Sequence, residues 1–588
     1  MESLDDWVSR FADEVIALAR GDGVAIPAGP ASVAADAARR SPGKPIVCAS
    51  GLSPSGPVHL GNLREVMTPH LVADEIRRRG HEVVHVLSWD DFDRFRKTPL
   101  GIPGVDKAEW DEHIGKPLSR VPAPPGSPYP NWAEHFKAPM IEAMARLGVE
   151  VRPVSQTDMY TKGAYRDEVL RAMGERDKID AILGRYRTKK PITAGQDADA
   201  DEAAAAEGSG AAAEDDGGSE RGYYPFKPYC SNCDKDLTVV TAYDDKTTAL
   251  TYECTACGFT ETVYLNEFTN GKLVWKVDWP MRWAYEGVHF EPSGVDHSSP
   301  GSSFVVGGHI VRDVFESEPP IGPMYAFVGI SGMAKMSSSK GGVPTASDAL
   351  EIMEPQLLRW LYARRRPNQS FKVAFDQEIQ RMYDEWDALS ARVASGAASP
   401  GDVAAYRRAV GTASHGDLPT TPRVFPYRTL ASIVDITTGH DEQTLRILRD
   451  LDPSDPVTSL DEARPRLDCA ERWITTQVPA EQRTRVLAGP DTALLESLTE
   501  QQRESLRLLK AGLDSHWSLD GLTTLVYGVP KQMAGLPMDT KPTAELKAMQ
   551  REFFALLYHL LVGRDTGPRL PTLLLAVGAD RVRSLLGG

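Results

Sequence analysis

The chain has 588 residues, of which 41% are hydrophobic and 25% are charged. This length accommodates about three or four domains, and the composition is typical of a globular protein rather than a fibrous one. No run approaches the roughly 20 apolar residues that a membrane-spanning helix needs. The acidic N-terminus lacks the basic start and apolar core of a secretory signal. We therefore expect a cytoplasmic protein that has no membrane partner.

The formal net charge of −16 disfavours a nucleic-acid partner only at first sight. Nine of the acids lie in residues 196–220, which contain no lysine or arginine, and without them the charge would be −7. Binding of RNA requires a basic face rather than a basic total, so the net charge does not exclude it. Residues 194–222 are rich in Ala, Gly, Asp and Glu and are predicted to be disordered, because they have little apolar surface to bury.

The N-terminal part of the chain predicts a helical extension and then a parallel sheet. Apolar residues between Trp7 and Ala19 recur at helical spacing, and we expect residues 1–40 to pack against the next domain. A buried strand is predicted at 45–49, a helix at 63–79 and a second strand at 82–87. Strand, helix and strand in this order predict a parallel sheet with ligands at the carboxyl ends of its strands.

The turn between the first strand and its helix is a candidate anion site. The stretch Ser50–Asn62 ends in His59, Leu60, Gly61 and Asn62, just before the predicted helix. A helix start offers backbone N–H groups and a positive dipole end to a phosphate, and glycine lets a ligand come close. Taken alone, such a motif is equally typical of a turn with a polar cap.

Residues 90–97, after the second strand, contain three acids and three bases and indicate either a binding crevice or an ion-pair cluster. Residues 98–130 are predicted to form a long irregular loop. A helix at 134–147, a strand at 149–154 and mostly helical structure at 160–186 follow. Basic residues between Arg185 and Lys190 indicate either an RNA-backbone contact or a solvated helix end.

Four of the six cysteines form two Cys-x-x-Cys units with 20 residues between them: Cys230, Cys233, Cys254 and Cys257. This is zinc-ribbon spacing, in which two knuckles place four thiolates around one ion. A redox pair or four idle cysteines are the alternatives. We expect one structural Zn²⁺ in a reducing compartment.

After the cysteine units, the chain is predicted to add further strands to the parallel sheet. Residues 273–278 are predicted to form a buried strand, 304–309 a strand with a glycine turn and helix start, and 325–330 the last apolar strand. Residues 332–342 form a glycine-flanked loop with two lysines, which suits either a polyphosphate or a solvated linker. From Asp348 onward the pattern is helical, and Arg364–Arg366 is a candidate phosphate contact.

The turn and the lysine loop together resemble the HIGH and KMSKS signatures of class I aminoacyl-tRNA synthetases. The sequences of residues 50–62 and of Asp278–Trp283 are similar to those of one branch, the class I lysyl-tRNA synthetases. The resemblance implies an α/β Rossmann-type parallel-sheet catalytic domain with a zinc-ribbon insertion, followed by an all-α C-terminal region. The predicted segments are the N-terminal helical extension (1–40), the two halves of the catalytic domain (41–193 and 263–347), the disordered acidic insert (194–222) and the zinc-ribbon insertion (223–262). A helical stem and anticodon-binding region (348–490) and a C-terminal helical bundle (491–588) complete the chain.

The resemblance also implies roles for individual residues. Catalysis is assigned to His59, Asn62, Lys335 and Lys340. The implied ATP site is Pro54, Ser55, Gly56, His59, Gly61, Asn62, Lys335, Met336, Ser337 and Ser338. The implied lysine site is Gly51 and Ser53, with Trp275, Trp279, Asp296 and His297 as further candidates. Two positions depart from the signatures: Asn62 replaces the last histidine, and Ser338 replaces the second lysine, which leaves the role of Lys340 open.

The implied function is ATP-dependent activation of L-lysine and its transfer to tRNA(Lys), with Mg²⁺ accompanying the ATP. We expect tRNA, lysine and ATP as partners and no DNA. The alternatives are a glutamyl-tRNA synthetase-like ligase, a class I nucleotidyltransferase that acts on a metabolite, and a non-catalytic RNA-binding module with a zinc ribbon. A pocket lined by acids rather than by an arginine would distinguish the lysine enzyme from the glutamate enzyme.

Overall fold

A computed structural model describes residues 6–21, 44–186, 218–219, 222–297, 302–331 and 342–588. These residues form two compact units. The first contains the described residues of Met1–Leu350 together with Pro355–Val373 and Leu389–Leu418. The second contains Glu351–Glu354, Ala374–Ala388 and Pro419–Gly588. The seven segment boundaries that the sequence suggests stay predictions.

A parallel sheet organises the first unit. Its strands are β1 (Ile46–Leu52), β2 (Val83–Trp89) and β3 (Arg152–Ser155), with β2 between the other two. β1 and β2 pair in register along their whole lengths, so both end at the same edge. On the far side of β1, Phe290 forms a parallel bridge with Cys48 and another with Ile321. The predicted parallel sheet is therefore confirmed, and parallel bridging continues it beyond three strands.

The helix Leu63–Arg78, called the signature helix below, connects β1 to β2. It is buried on nearly all sides because the helices Trp7–Arg20 and Pro355–Ala363 cover it. The turn after the helix places Gly80 at φ +85°, which suits glycine. The predicted N-terminal helix is confirmed over Trp7–Arg20, and the rest of 1–40, apart from Asp6 and Gly21, lies outside the described residues.

The other elements of the first unit follow in chain order. Its further helices are Lys107–Asp111, Trp132–Arg146, Gln156–Thr161, Arg166–Gly174, Arg176–Gly184, Trp275–Glu286, Ser303–Asp313, Pro355–Ala363 and Pro400–Val410. Its short 3₁₀ turns are Leu60–Asn62, Leu118–Arg120 and Val295–His297. Its further strands are Gly218–Ser219, Gly222–Tyr223, Phe226–Pro228, Thr238–Asp244, Ala249–Cys254, Thr260–Tyr264, Gly271–Leu273, Ser293–Gly294, Met324–Tyr325, Val328–Ile330, Phe371–Val373, Gly411–Thr412 and Gly416–Asp417. Ala346–Ile352 and Glu378–Ala394 contribute residues to both units.

The prediction of a strand at 273–278 was wrong. The strand ends at Leu273, and a helix, called the tryptophan helix below, runs from Trp275 to Glu286. Its tryptophans recur every four residues, at Trp275, Trp279 and Trp283, so they share one helical face. The β-prone residues and Pro280 favour a strand by local propensity, which masks the four-residue spacing of the tryptophans. Packing of the three indoles overrides that local preference.

The strand predicted at 304–306 was also wrong, because Ser303–Asp313 is helical throughout. Gly307 is not a turn residue: a Cβ built there would lie 3.1 Å from the ring of Trp283. Glycine is used at this position so that two helices can pack closely.

Two further boundaries differ from the predictions, and one predicted segment lies almost wholly outside the described residues. The strand expected at 325–330 is two strands, Met324–Tyr325 and Val328–Ile330, because each pairs in parallel with a different partner. The region after Asp348 is not wholly helical, since Phe371–Val373 pairs with Val328–Ile330 and Gly411–Thr412 pairs with Gly416–Asp417. The segment predicted to be disordered, 194–222, lies outside the described residues except for 218, 219 and 222, which form short strands.

The second unit is built from helices around its own apolar core. These helices are Tyr427–Thr437, Asp441–Leu451, Arg466–Gln477, Thr492–Ser497, Glu500–Gly512, Leu519–Met533, Ala544–Val562, Leu570–Val577 and Ala579–Leu585, with 3₁₀ turns at Leu460–Glu462 and Asp514–His516. Arg466 is buried and lies 2.7 Å from Glu354 and 2.9 Å from Asp387. Among the described helices of the chain, none combines the length and apolarity that spanning a membrane would require.

Candidate active site

His59 lies at the end of the turn that follows β1 and precedes the 3₁₀ turn Leu60–Asn62. It is buried, and burial lowers its pKa to about 4, so the imidazole is neutral at physiological pH. In the described part of the chain its Nδ1 atom has no hydrogen-bond partner. A neutral imidazole at a helix start is well suited to contact a phosphate oxygen without carrying a charge of its own.

The C-terminal flank of the lysine loop pairs with the same turn. The backbone N–H of Leu60 donates to the carbonyl of Pro344 at 2.9 Å, and His59 forms an antiparallel bridge with Thr345. The fold thus brings together two stretches that are far apart in sequence. The loop residues with predicted roles, Lys335, Met336, Ser337, Ser338 and Lys340, lie outside the described residues, and their roles stay predictions.

Two carboxylates flank Gly51 near the carboxyl end of β1, and a third lies close to them. A Cβ built at Gly51 would lie 3.9 Å from Glu65 Oε1 and 3.9 Å from Asp90 Oδ2. The negative charge of Glu291 raises the pKa of Glu65, and the negative charge of Asp90 in turn raises the pKa of Glu291. We call Glu65, Asp90 and Glu291 the carboxylate cluster. None of the three is among the predicted site residues.

All three acids of the carboxylate cluster have raised pKa values. Burial raises the pKa of Glu291 to about 7 and that of Asp90 to about 6. The pKa of Glu65 is raised well above its ordinary value, first by burial and then by Glu291 and Asp90. Glu65 still accepts hydrogen bonds from the backbone N–H of Gly51 and from the hydroxyl of Tyr325. Acids in this state favour a positively charged ligand.

The tryptophan helix forms the aromatic wall beside the cluster. Trp279 Nε1 donates to Glu291 at 3.0 Å, and Trp283 Nε1 donates to the same carboxylate at 2.7 Å. The indoles of Trp275 and Trp279 stack with centroids 5.1 Å apart, and the ring of His297 lies 5.8 Å from that of Trp279. The predicted site residues Trp275, Trp279 and His297 are therefore neighbours.

The other predicted residues of the lysine site are placed less decisively. Gly51 lies beside the carboxylate cluster, whereas Ser53 is exposed just beyond β1. Asp296 lies in the 3₁₀ turn Val295–His297, and its side chain is outside the described residues. Of the residues predicted for ATP, Pro54 and Gly56 are buried and Ser55 is exposed, while the carbonyl of Ser55 accepts a 3.1 Å hydrogen bond from Trp132.

The charged stretch after β2 is mostly engaged in internal ion pairs. Arg282 binds Asp90 at 2.6 Å and also pairs with Asp278. Asp91 lies 2.6 Å from Lys137, and Asp93 pairs with Lys272. The acids of 90–97 therefore form ion pairs that are largely buried, and the binding crevice at this stretch stays a prediction. Arg282 is thus held by two acids, Asp90 and Asp278.

The four cysteines of the two Cys-x-x-Cys units converge on one point. The Sγ atoms of Cys230 and Cys257 are 3.7 Å apart, as are those of Cys233 and Cys254, and all four lie within 4.8 Å of one another. A tetrahedral ion with Zn–S bonds of about 2.3 Å needs sulfur atoms about 3.8 Å apart. The donor set and its geometry therefore fit a four-thiolate metal site, which an antiparallel sheet of three strands supports.

Comparison with known proteins adds to this geometry. A profile of the family described as tRNA synthetases class I (K) matches residues 30–414. The chain is 69% identical to a lysine--tRNA ligase of Streptomyces coelicolor over 99% of this chain and 98% of that protein. It is 32% identical to a lysine--tRNA ligase of Pyrococcus horikoshii (90% of this chain, 93% of that protein) and 31% identical to one of Pyrococcus furiosus (91% and 94%).

Proposed function

The chain belongs to the family of class I (K) tRNA synthetases, and we propose from this membership that it is a lysine–tRNA ligase. It activates L-lysine with ATP to lysyl-adenylate, releases diphosphate, and transfers the lysyl group to the 3′ end of tRNA(Lys) with release of AMP. The observation that carries this proposal is the relationship to lysine–tRNA ligases over nearly the whole chain. The charge of the amino-acid pocket supports it independently.

The carboxylate cluster would bind the side-chain ammonium of lysine. An ammonium without a partner is prohibitively costly to bury, so a lysine pocket needs an acid at its end. Glu65 is the best candidate, because it is partly exposed and its hydrogen-bond donors, Gly51 and Tyr325, leave it unpaired with any described cation. The faces of Trp275 and Trp279 would cover the four methylenes and add cation–π attraction.

The same charges argue against the rival substrate. Glutamate would bring a fourth carboxylate to Glu65, Asp90 and Glu291, and Arg282 is already held by Asp90 and Asp278. The pKa values of these acids are already raised, so burying one more carboxylate beside them without an unpaired base would be costly. The glutamyl-tRNA synthetase-like alternative is therefore disfavoured.

The turn after β1 and the lysine loop would bind ATP. The lysine carboxylate attacks the α-phosphorus and diphosphate leaves, a reaction that depends on positioning and charge stabilisation. His59 and Asn62 would contact the phosphates, and Gly61 and Gly56 would let them approach the backbone. Lys335 would stabilise charge on the departing diphosphate. Mg²⁺ enters with ATP as part of the substrate.

The remaining parts of the chain would serve tRNA and stability. We assign anticodon binding to the all-α region that forms the second unit, and a structural Zn²⁺ to Cys230, Cys233, Cys254 and Cys257. Four thiolates leave no open position for a substrate, so this ion would support the fold rather than the reaction. We place the enzyme in the cytoplasm, where such thiols stay reduced, and assign it neither a DNA nor a membrane partner.

ATP–diphosphate exchange tests the proposal. In the presence of the matching tRNA we expect strong exchange with lysine and none with glutamate. Ornithine lacks one methylene and should lose about 1–3 kcal/mol of transition-state binding, with a further loss from its misplaced ammonium. The resemblance to class I lysyl-tRNA synthetases implies that bound tRNA is needed before the amino acid is activated, so omitting the tRNA should abolish most of the exchange with lysine. Exchange driven by glutamate would assign the chain to the rival function, and no exchange with lysine and tRNA would overturn the ligase proposal.

A further inference from the structure

Arg64, the second residue of the signature helix, is buried with an unusual set of partners. Its side chain is 2% exposed. Nη1 donates to the carbonyls of Ala326 and Gln369, and Nη2 donates to the carbonyl of Arg366, each at 2.8 Å. No hydrogen bond or ion pair joins it to a carboxylate among the described residues. A buried guanidinium that is bound only to carbonyls is costly, so its geometry needs an explanation.

The three carbonyls belong to two segments beside the amino-acid site. Ala326 follows directly after the strand Met324–Tyr325. Arg366 and Gln369 lie in the turn before Phe371–Val373, the strand that pairs in parallel with Val328–Ile330. The guanidinium also lies 5.2 Å from the centroid of the Phe371 ring. Arg64 therefore fastens both segments to the start of the signature helix.

Two successive residues of the signature helix, Arg64 and Glu65, contact the end of the strand Met324–Tyr325 and the residue after it. Arg64 binds the carbonyl of Ala326, and the neighbouring Glu65 accepts a hydrogen bond from the hydroxyl of the neighbouring Tyr325. Hydrogen bonds weaken steeply when donor and acceptor move beyond about 3.2 Å. A shift of Ala326 by one ångström would therefore carry Tyr325 away from Glu65.

We propose that Arg64 is a positioning residue for lysine recognition: by holding the carbonyl of Ala326, it keeps Tyr325 against Glu65 and so orients the carboxylate that meets the substrate ammonium. This inference rests on the proposed function, since it assigns Arg64 to the same amino-acid site. Arg64 acts through Tyr325 and Glu65 and does not itself touch lysine.

The test compares Arg64→Lys with Arg359→Lys. Arg359 is a matched control in the first unit: it is fully buried and also donates to carbonyls, those of Leu147 and Arg408 at 2.7 Å, but it does not contact the carboxylate cluster. The KM values for lysine and for ATP are measured separately by tRNA-dependent exchange, together with the melting temperature. We expect Arg64→Lys to raise the lysine KM about tenfold, the size of one lost charged hydrogen bond, and to leave the ATP KM unchanged. Arg359→Lys should lower the melting temperature without a selective effect on lysine.

A double mutant separates positioning from plain structural support. Tyr325→Phe should itself raise the lysine KM, and adding Arg64→Lys to it should raise that KM little further, because both changes disable one link. The inference is overturned if Arg64→Lys raises both KM values equally or multiplies the lysine KM of Tyr325→Phe by the full factor. Tyr325→Phe with an unchanged lysine KM also overturns it, even if Arg64→Lys does not fold. A wild-type enzyme without lysine-driven exchange would instead refute the proposed function.

Discussion

Glu65 differs from the other two acids of the carboxylate cluster in its hydrogen-bond and ion-pair partners. Asp90 is bound by Arg282 and Glu291 by two indoles, whereas the donors to Glu65 among the described residues are Gly51 and Tyr325. We predict that Glu65→Gln raises the lysine KM about 10- to 100-fold, because a hydrogen bond to a charged group contributes about 1.5–3 kcal/mol. The ATP KM should stay constant.

Glu82→Gln, at an exposed position just before β2, is the control for the loss of one negative charge. It should leave both KM values unchanged in tRNA-dependent exchange. A Glu65→Gln enzyme with wild-type lysine KM would mean that another acid binds the ammonium.

The pKa of Glu291, raised to about 7 by burial, predicts that lysine recognition depends on pH. As pH falls from 8 to 6 this carboxyl takes up a proton and the cluster loses negative charge, while the ammonium of lysine, with a pKa of about 10.4, stays charged. The lysine KM should therefore rise toward acid pH.

Linkage gives the matching effect on stability. A carboxyl whose pKa is raised on folding stabilises the native state at low pH, and this contribution is lost as pH rises through about 7. Lysine should restore it, so the shift in melting temperature caused by lysine should be larger at pH 8 than at pH 6. A shift that is independent of pH would place the titrating group away from the substrate.

Lys335 is predicted to act on the transition state rather than on bound ATP. Loss of one preorganised charge-stabilising donor typically costs about 10²–10³ in kcat. Lys335→Ala should therefore reduce kcat for exchange by that factor with little change in the ATP KM. A raised KM with an unchanged kcat would instead assign this lysine to uniform ATP binding.

At the scale of elements, the cysteine knuckles form the most self-contained part of the site. Elemental analysis should find one zinc per chain, and Cys230→Ser with Cys233→Ser should lose it and lower the melting temperature, since structural zinc contributes directly to folding. Cys469→Ala is the control, because Cys469 is a buried cysteine of the second unit that belongs to neither Cys-x-x-Cys unit. A metal-free wild-type protein with full stability would refute the zinc assignment.

The tryptophan helix shows where pattern-based prediction of elements fails. Trp, Val and Trp in 275–279 favour a strand by propensity, yet the residues form a helix in which the indoles of Trp279 and Trp283 bind Glu291 and pack on Phe304. The same packing turns the predicted glycine turn at Gly307 into a helix interior. Tertiary contacts overrode weak local preferences at both places.

At the scale of the whole molecule, deletion of 196–220 tests the acidic insert. The segment has nine acids and no apolar residue larger than alanine, so it has little with which to bind the rest of the chain. We predict that deletion changes the melting temperature and the aminoacylation rate by little, while the net charge falls in magnitude to −7. A large loss of either property would show that the insert docks on the enzyme or on its tRNA.

The sequence by itself determined the features that depend on short-range geometry. The strand, turn and signature helix follow from apolar spacing and glycine placement, and the four-thiolate site follows from the spacing of Cys230, Cys233, Cys254 and Cys257. These features need only neighbouring residues to be recognised.

Only the tertiary structure decided how the amino-acid site is built. Glu65, Asp90 and Glu291 come from three distant parts of the chain, and nothing in their local sequence marks them as substrate-binding. Their significance arises when the signature helix, the chain after β2 and the chain after the tryptophan helix bring the three acids together in one buried site. Burial and like-charge proximity set what a carboxylate can bind, and both are properties of the packed molecule rather than of the sequence around each residue.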